Sequence, residues 1–396
     1  MKLVLGGPPR SGKSCLREGL KQALRAIPGA PYPYVITACP DGEGAWFQQT
    51  VERDPGLAAA CKKEYKSAFT PEFVRRIADS VRDCALPLTI VDIGGRTSRE
   101  NEEICRHATM GLILAGDESK VPEWRKFFMD LGIPVIAEIH SDYNGKEDAV
   151  VGVGPDDVFR GTVHHLERGE PVADRPLVAA LARYLVLLSL LEKHKIPTGT
   201  WGKGKAKTVG HLYREVVDGE AEVKEDADGA LIRVIRVLAI DVYCQAPDGA
   251  VLKLVEDRQE FKDGRVRRRT LTSSLAEKLK MRENPADRTA VQRAIKEELG
   301  VCAQRAEMGG QTHIARESES FPGLQTTTLA VSWTVWIDPS EYRPEYVEVQ
   351  SDKSTFFRWF VNSRKEERGY RSPRMEYLDF YDRLRAEAAD WWKKYD

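Results

Sequence analysis

Apolar and polar positions alternate along the first half of the chain in two different rhythms. Short apolar runs, typical of buried strands, cover residues 2–6, 34–37, 88–93, 111–115 and 134–139. Apolar residues recur at helical spacing over residues 13–26, 71–84, 121–131 and 176–194. Strands that alternate with helices in this way are typical of a parallel sheet. Residues 1–197 are therefore predicted to form an α/β domain that the last helix closes.

The pattern changes after residue 197. Residues 198–228 are rich in glycine, lysine and acidic residues, which predicts a linker with one short helix near 211–217. Residues 229–396 are predicted to form an α+β domain. Its predicted strands are 230–243, a hairpin of 250–261 and 265–275 around the Asp263-Gly264 turn, 326–337 and 355–360. Its predicted helices are 288–299, which ends at the left-handed cap Gly300, and 375–395.

Composition agrees with a globular protein of two domains. The chain has 396 residues, more than one core usually holds, and 42% of them are hydrophobic. Residues 1–200 contain 26 basic and 27 acidic residues, and residues 201–396 contain 34 of each. This balance argues against a general nucleic-acid binder, but it allows a nucleotide in a local pocket.

Cysteine usage and the apolar stretches indicate a cytoplasmic protein. The seven cysteines are scattered without a CxxC pair, which indicates reduced thiols rather than disulfides or a cysteine zinc site. The apolar start runs directly into a glycine-rich loop, so no signal peptide is predicted. The most apolar helix, 177–191, is interrupted by Arg183 and is short for a membrane span. The sequence therefore predicts a soluble protein with no membrane partner.

The first candidate site is the segment GPPRSGKS at residues 7–14, which satisfies the phosphate-loop pattern G-x-x-x-x-G-K-[ST]. It lies between a predicted strand and a predicted helix, as this motif requires. Its glycines let main-chain N–H groups turn towards phosphate oxygens, Lys13 reaches the outer phosphates, and the Ser14 hydroxyl suits Mg²⁺. The predicted ATP-binding residues are Gly7, Arg10, Ser11, Gly12, Lys13, Ser14 and Cys15.

A metal partner for this loop is predicted where a neighbouring apolar strand ends. Asp92 is suited to hold Mg²⁺ through water, and Gly94-Gly95 would let the backbone approach a γ-phosphate. An acidic residue at a strand end is also common without any function. With the phosphate loop already in place, the functional interpretation is favoured, and Lys13 and Asp92 are the predicted catalytic residues of this domain.

A further acidic segment, ACPDGEGAW at residues 38–46, follows the second predicted strand. Loops that follow parallel strands open on the edge of the sheet where ligands bind. Asp41 and Glu43 either position an acceptor hydroxyl or a second metal, or form an ordinary Asp-Gly turn. The sequence leaves both interpretations open.

Three stretches resemble the AAA-type ATPase region of some CRISPR-associated proteins: ACPDGEGAW (38–46), VDIGGR (91–96) and NEEICRHATMGLIL (101–114). In that family the region is fused to a ring nuclease domain that degrades cyclic oligoadenylate, and no segment here is identified as such a domain. The resemblance covers most of residues 1–195. It implies a P-loop NTPase or kinase-like unit of an antiviral locus, with cyclic oligoadenylate or a CRISPR-linked protein as candidate partner. AAA-type relatives also imply a homo-oligomer.

The second candidate site is RAIKEELGV at residues 293–301, which resembles the core of the Nudix box, G-x5-E-x7-R-E-U-x-E-E-x-G-U with U aliphatic. The matching residues are Arg293, Ile295, Glu297, Glu298, Gly300 and Val301. Positions 294, 297 and 298 share one helix face, so carboxylates there can converge on one Mg²⁺ or Mn²⁺ that neutralises a diphosphate and activates water. Glu297 and Glu298 are the predicted metal ligands.

The match to the box is incomplete. Ala294 stands where the family has glutamate, and the family's earlier glutamate and glycine fall on Pro285 and Leu279. Three acidic residues lie nearby but out of register: Glu277, Glu283 and Asp287. Any of these three is a candidate to replace the missing ligand if the loop before the helix has a different length, and Glu283 is included among the predicted catalytic residues. A Glu-Glu pair near a helix end is also common without catalysis.

Other residues have a structural and a functional interpretation. The arginines either bind substrate phosphates or protect a strand edge with charge: Arg265, Arg267, Arg268 and Arg269. The aromatic residues either stack a base or fill the core: Trp333, Trp336, Phe356, Phe357 and Trp359. His164-His165 lacks ligand spacing and is interpreted as a structural or surface pair.

Two hypotheses for function follow from these motifs. The first is an enzyme that couples a Mg²⁺-dependent P-loop ATPase or kinase-like domain to a Nudix-like hydrolase of a nucleoside polyphosphate or signalling nucleotide. Its predicted catalytic residues are Lys13, Asp92, Glu283, Glu297 and Glu298. The second is a non-catalytic Nudix-like sensor with an ATP-driven switch domain that regulates a partner in antiviral defence. Ala294 is the feature that favours the second hypothesis.

Overall fold

A computed structural model describes residues 1–39, 70–246, 249–268, 273–350 and 353–361. Contacts between residues divide the chain into two compact units. The first contains residues 1–214 with the short segments 229–231 and 319–323, and the second contains 215–228, 232–318 and the chain from 324 onward. In the described ranges, no helix has both the length and the apolarity needed to cross a membrane.

The first unit is built on a seven-stranded sheet. Its strands are β1 (Lys2–Gly6), β2 (Pro33–Thr37), β3 (Leu88–Asp92), β4 (Met110–Ala115), β5 (Val135–Asp142), β6 (Ala149–Val153) and β7 (Phe159–His164). They are ordered β2-β3-β1-β4-β5-β7-β6 and are parallel except for β6, which is antiparallel to β7. Leu5 of β1 lies opposite Asp92 of β3, so the loops that follow these two strands leave from one edge of the sheet.

Helices cover both faces of this sheet. In the described ranges they are α1 (Lys13–Ala26), α2 (Pro71–Asp83), α3 (Arg99–Cys105), α4 (Val121–Asp130) and α5 (Pro176–Lys193). Trp124 and Phe128 of α4 share a core with Val4 of β1 and with apolar residues of α2 and α3. Leu3 and Leu5 are also buried and, because strand side chains alternate, point to the opposite face, where α1 packs on α5. The central strand β1 is therefore buried on both faces.

The predicted parallel α/β sheet is confirmed. The predicted strands and helices of this half agree with the structure to within three residues at each end. The hairpin β6–β7 and helix α3 are additional elements that the pattern does not predict. Val150 and Val151 of β6 are 45% and 78% exposed, so this strand has no apolar alternation to detect. Asp41 and Glu43 lie outside the described residues.

The second unit contains a mixed sheet. Its strands are β8 (Glu222–Glu225), β9 (Leu231–Gln245), β10 (Val251–Phe261), β11 (Val266–Arg267), β12 (Leu275–Leu279), β13 (Ala303–Glu317), β14 (Gln325–Ile337), β15 (Glu345–Val349) and β16 (Lys353–Val361). The main path is β13-β14-β9-β10-β16-β15; β8 and β12 also pair with β9, and β11 pairs with β10. β9 and β14 are parallel, whereas β10–β16 and β13–β14 are antiparallel.

Helix α7 (Arg288–Leu299) packs on this sheet through Val291, Ile295 and Leu299. Those residues form a core with alternate residues of β9 and β14, among them Leu238 and Trp333. The face of the sheet that carries Leu238 and Trp333 is called the helix-covered face below. Side chains two residues apart on one strand share a face, so the register assigns the other strands to it.

The second half differs from its predicted pattern in two places. The hairpin around Gly264 is present, and among the described residues of its second arm Val266 and Arg267 pair with β10, with Val266 exposed. The predicted linker contains α6 (Val209–Val217) and β8, and Leu212 within it is fully buried. Helix 288–299 and its cap Gly300 are confirmed. The helix predicted at 375–395 lies outside the described residues.

Candidate functional site

The phosphate-loop sequence has the backbone that the motif requires. Gly7 has φ +140° and Gly12 has φ +82°, and Gly12 is the N-cap of α1. A side chain at Gly7 would place its Cβ 1.9 Å from the Leu114 carbonyl oxygen, so only glycine fits. Arg10 also has a positive φ, 63°, which is strained for a residue with a side chain. The loop is therefore built around a turn that ordinary residues avoid.

Lys13 lies over the inside of this turn. Its Nζ donates to the carbonyl oxygens of Gly7 and Pro8, both at 2.9 Å, and the residue is 9% exposed. Ser11 Oγ donates to the Pro8 carbonyl at 3.0 Å and closes the same turn. An ammonium group held at the mouth of a helix N-terminus is a strong attractor of phosphate.

Asp92 lies beside the loop, and a buried arginine holds it. Arg17 Nη1 donates to Asp92 Oδ2 at 2.8 Å, and Ser14 Oγ donates to the same oxygen at 3.4 Å. The two ionic side chains are 0% and 6% exposed. Burial raises the pKa of Asp92, while Arg17 and Lys13 act in the opposite direction. The structure thus brings Lys13, Ser14 and Asp92 together, and it adds Arg17, which the motif alone does not indicate.

The loop after Asp92 contacts the phosphate loop directly. A Cβ on Gly95 would lie 2.6 Å from the backbone nitrogen of Pro9, so the two loops touch. Asn101, 1% exposed, holds this second loop from below: its Nδ2 donates to the carbonyl oxygens of Gly94 and Arg96. The two loops therefore form one connected surface around Lys13.

Replacing Arg17 with methionine is expected to destabilise the protein by about 3–5 kcal/mol, because Asp92 would be left buried without its counter-ion. The loss should shrink at acid pH, where Asp92 is neutral. Denaturant unfolding at two pH values measures it. Arg82→Met is the matched control, since Arg82 pairs with Asp79 and Asp83 on the surface. Equal unfolding midpoints for Arg17→Met and Arg82→Met would contradict the role given to Arg17.

The second candidate site is organised by α7. The helix begins at Asp287, whose side chain accepts from Thr289 N–H at 2.9 Å, and ends at Gly300 with φ 70°. Arg293 donates to Glu283 and lies 3.9 Å from Glu297 at the i, i+4 position. Glu283 also accepts from the backbone N–H of Lys280 at 2.7 Å. Glu283 therefore forms an ion pair with Arg293 and holds the arginine side chain in place.

Glu298 faces carboxylates of three strands. Burial is the main cause that raises its pKa to about 8, and Glu348, Glu277 and Glu256 raise it further, while Lys353 opposes them. Glu277 lies on β12, Glu348 on β15 and Glu256 on β10. The pKa of Glu277 is raised too, first by burial. These residues, Glu298, Glu277, Glu348 and Glu256, are called the acidic group below.

A buried hydroxyl accompanies the acidic group. Thr355 of β16 is 2% exposed, and its Oγ1 has no hydrogen-bond partner among the described residues. It lies opposite Glu348 on β15 and shares the helix-covered face with the core residue Phe357. Hard oxygen donors of this kind suit Mg²⁺ or Mn²⁺. In the described ranges no three candidate ligands stand close enough to hold a cation as they are placed, so side-chain rotation would have to close the set.

The raised pKa of Glu298 gives a stability test. Its ordinary value is 4.5, so between pH 4.5 and about 8 the folded protein binds the extra proton. Stability should therefore fall as pH rises through this window, by at most about 1.4 kcal/mol per pH unit. Thermal melts across this pH range for the unsubstituted protein and Glu298→Gln measure it, and the variant should lose this slope. Melting temperatures that vary with pH in the same way for both proteins would contradict the assignment.

Mn²⁺ should bind more tightly as pH rises, because it competes with the proton on Glu298.

Several predicted groups lie elsewhere. Ala294 is 1% exposed within the core, so this position faces the sheet. Arg265 and Arg268 are exposed and pair with Asp263 and Asp257, which agrees with the structural interpretation of the arginines. Arg269 lies outside the described residues.

The aromatic residues and the histidine pair also have structural roles. Trp333 and Phe357 fill the core, and Trp336 stacks on Tyr243. His164 Nδ1 lies 2.6 Å from Oδ1 of Asp148, and Oδ2 of Asp148 accepts from the N–H of Leu177 in the first turn of α5. These contacts favour the structural interpretation of both groups.

Comparisons with known proteins give likeness to Nudix domains. No protein-family model matches the chain, and no curated protein is similar to it. The NUDIX domain of Shewanella oneidensis NrtR, in complex with ADP ribose, is 13% identical, covers 38% of this chain and 88% of its own, and has a TM-score of 0.21. The Nudix hydrolase RenU of M. smegmatis is 16% identical, covers 43% and 95%, and has a TM-score of 0.20.

Likeness at these TM-scores defines no function, so function has to come from the residues of the chain itself. The predicted relation to CRISPR-associated ATPases stays a prediction, because neither comparison tests it.

Proposed function

We propose that the second unit is a divalent-cation-dependent hydrolase that cleaves the diphosphate linkage of a nucleoside polyphosphate or a related nucleotide. The observation that carries this proposal is Glu298, whose carboxyl is partly buried among Glu277, Glu348 and Glu256. Four carboxylates near one another on the helix-covered face are costly without a cation, because like charges repel and burial disfavours ionisation. A site arranged this way favours binding of Mg²⁺ or Mn²⁺.

Different residues would have different roles in hydrolysis. Water must attack one phosphorus atom, lose a proton and displace the other phosphate. Glu298, Glu348 and Glu297 would hold the cation, which when bound supplies neutralisation of the diphosphate charge. Glu277 has a pKa raised by burial, which makes it a stronger base than an ordinary carboxylate, and would take the proton from water. Arg293, fixed by Glu283, keeps Glu297 in place at the exposed side of the helix.

The first unit is proposed to bind a nucleoside triphosphate with Mg²⁺. Lys13 and the loop N–H groups would hold the phosphates, and Ser14 and Asp92 would hold the cation. The contact of Gly95 with Pro9 supports a switch role, because a γ-phosphate between the two loops would change how they meet. The proposal covers both a kinase, which transfers the phosphate, and an ATPase, which releases it. It also includes a role in antiviral defence, with cyclic oligoadenylate or a CRISPR-linked protein as partner.

A substrate panel tests the hydrolase. The full-length protein is incubated with Mg²⁺ or Mn²⁺ and ATP, dinucleoside polyphosphates, ADP-ribose and cyclic oligoadenylate, and products are separated by chromatography. We expect a diphosphate-linked compound to yield a nucleoside monophosphate and its complementary product, and a chelator to stop the reaction. Binding of a nucleotide without any product, in both metals, would overturn the hydrolase and favour the sensor hypothesis instead.

A further inference from the structure

We propose that a cavity beside the loop that precedes α7 binds a phosphomonoester of the nucleotide substrate, separate from the linkage that is cleaved. The proposal rests on the hydrolase function given above and names a substrate class for it. The cavity has a volume of about 300 Å³. Its walls include Arg236, Arg282, Glu283, Asn284, Gln311 and Leu329. This volume is at the lower end for ligand sites and suits a phosphate with part of a sugar.

One arginine of the cavity is held in place by the loop. Arg236 lies opposite Leu329 in the sheet, on the helix-covered face, and its Nη1 donates to the carbonyl oxygens of Met281 and Glu283 at 2.6 and 3.0 Å. A guanidinium has five N–H donors in a rigid fork, so these two contacts orient the group and leave donors for an anion. Arg236 therefore places a positive charge at a fixed position on the cavity wall.

The second arginine is exposed. Arg282 follows Met281 in the same loop, and no acidic side chain of the described residues lies within ion-pair distance of it. Glu283 is the acidic residue of the cavity wall, and its carboxylate is engaged by Arg293 and the N–H of Lys280. The cavity therefore has two arginines whose charge is not balanced from within, which favours an anion.

Amide groups complete the wall. Gln311 lies opposite Val331 on the helix-covered face, and its Nε2 is 3.4 Å from His313 Nε2. The Oδ1 of Asn284 accepts from Ala286 N–H at 3.0 Å, which fixes the amide of Asn284. Guanidinium and amide donors around one small cavity match the oxygens of a phosphate monoester.

A short chain of contacts connects the cavity to α7. Glu283 lines the cavity and holds Arg293, and Arg293 lies 3.9 Å from Glu297. An anion that fixes the loop at Arg282 and Glu283 would therefore also fix the arginine that positions Glu297. The favoured substrates are nucleotides with an extra phosphate, such as one on the ribose, in addition to the diphosphate.

Calorimetry tests the proposal on the full chain, with adenosine 3′,5′-bisphosphate and AMP as probes and no divalent cation present. A Lys13→Ala background removes the phosphate loop as a competing site. We expect Arg282→Gln to weaken bisphosphate binding by about tenfold, because a charge-assisted contact is lost, and to change AMP binding much less. Arg316→Gln is the control: Arg316 is exposed on β13 and its partner Thr326 places it on the other face.

Two outcomes overturn the cavity as a phosphate site. One is bisphosphate binding by Arg282→Gln that equals that of the parent protein, and the other is an equal loss in Arg316→Gln. Because Arg282 is exposed, the variant should keep its melting temperature, and binding is measured on folded protein. Turnover is not needed in this experiment, so failure of the hydrolase would appear separately, as absence of product in the substrate panel.

Discussion

Replacing Lys13 with alanine is expected to weaken binding of ATP·Mg²⁺ to the full-length protein by roughly 100-fold, because a buried charge that pairs with phosphate is removed. Lys13 is 9% exposed and its Nζ is held at the mouth of the loop by Gly7 and Pro8. The ammonium group is therefore organised before any nucleotide binds, and little of its binding energy is lost to ordering. Isothermal titration calorimetry measures the dissociation constant of each protein.

The control for this change is on the same helix. Lys21 lies two turns further along α1, and its Nζ is 3.9 Å from Glu18. Lys21→Ala removes the same charge from the protein without touching the loop, so ATP binding should stay within about twofold of the parent. If Lys13→Ala bound ATP as tightly as Lys21→Ala, the phosphate-loop assignment would be wrong.

Both candidate sites contain parts that local sequence predicts well. The turn at Gly7 and Gly12 requires φ values that only glycine adopts easily, so the loop is recognisable from its sequence motif. Helix α7 is also locally encoded, by the Asp287 cap at its start and Gly300 at its end. Hydrophobic periodicity and caps act over a few residues, which is why these bounds are confirmed.

The partners of Glu298 could not be predicted in the same way. Glu348 and Glu256 come from β15 and β10, which meet α7 only through the pairing of the sheet. Both strands also contain other acidic residues, and acidic residues in strands are usually solvated, so nothing in the sequence sets these two apart. The box pattern indicated Glu277, Glu283 and Asp287, because they are near in sequence; Glu277 acts on Glu298, whereas Glu283 is engaged by Arg293. A site assembled from several strands depends on register, and one sequence does not reveal register.

Arg17 is a second residue whose role the sequence does not predict. It lies four residues after Lys13 on an amphipathic helix, where a charged residue is ordinarily exposed. Its burial follows from Asp92, which β3 brings to the same edge of the sheet. The predicted metal partner thus already has a cationic partner in the protein. Mg²⁺ binding would have to compete with Arg17 for Asp92, so ATP binding by the parent protein should need a higher Mg²⁺ concentration than ATP binding by Arg17→Met.

The hydrolase and sensor hypotheses explain differently why alanine stands at position 294. Ala294 faces the core between α7 and the sheet, so its small side chain is explained by packing alone. In the described part of the chain, Glu277, Glu348 and Glu256 are the carboxylates near Glu298 that would substitute for the glutamate of the box. Loss of the box glutamate thus does not by itself favour the sensor, since the sheet supplies other acidic groups.

Glu298→Gln is expected to lower the rate of diphosphate hydrolysis by about 100-fold or more, because a neutral amide neither holds a divalent cation well nor compensates its charge. Turnover of the substrate that the panel identifies, at saturating Mg²⁺ or Mn²⁺, measures the effect. Lys296→Gln is the matched control, since Lys296 is on the exposed side of the same helix. The control should retain nearly full activity.

The same variant separates loss of chemistry from loss of fold. Glu298 is ionised above pH 8 against the cost of burial and of three neighbouring carboxylates, so its removal should raise the melting temperature at pH 9. Activity is therefore expected to fall while stability rises, which damage to the fold would not produce. A Glu298→Gln protein that keeps its hydrolysis rate would show that the acidic group does not hold the cation, and catalysis would have to lie elsewhere in the chain.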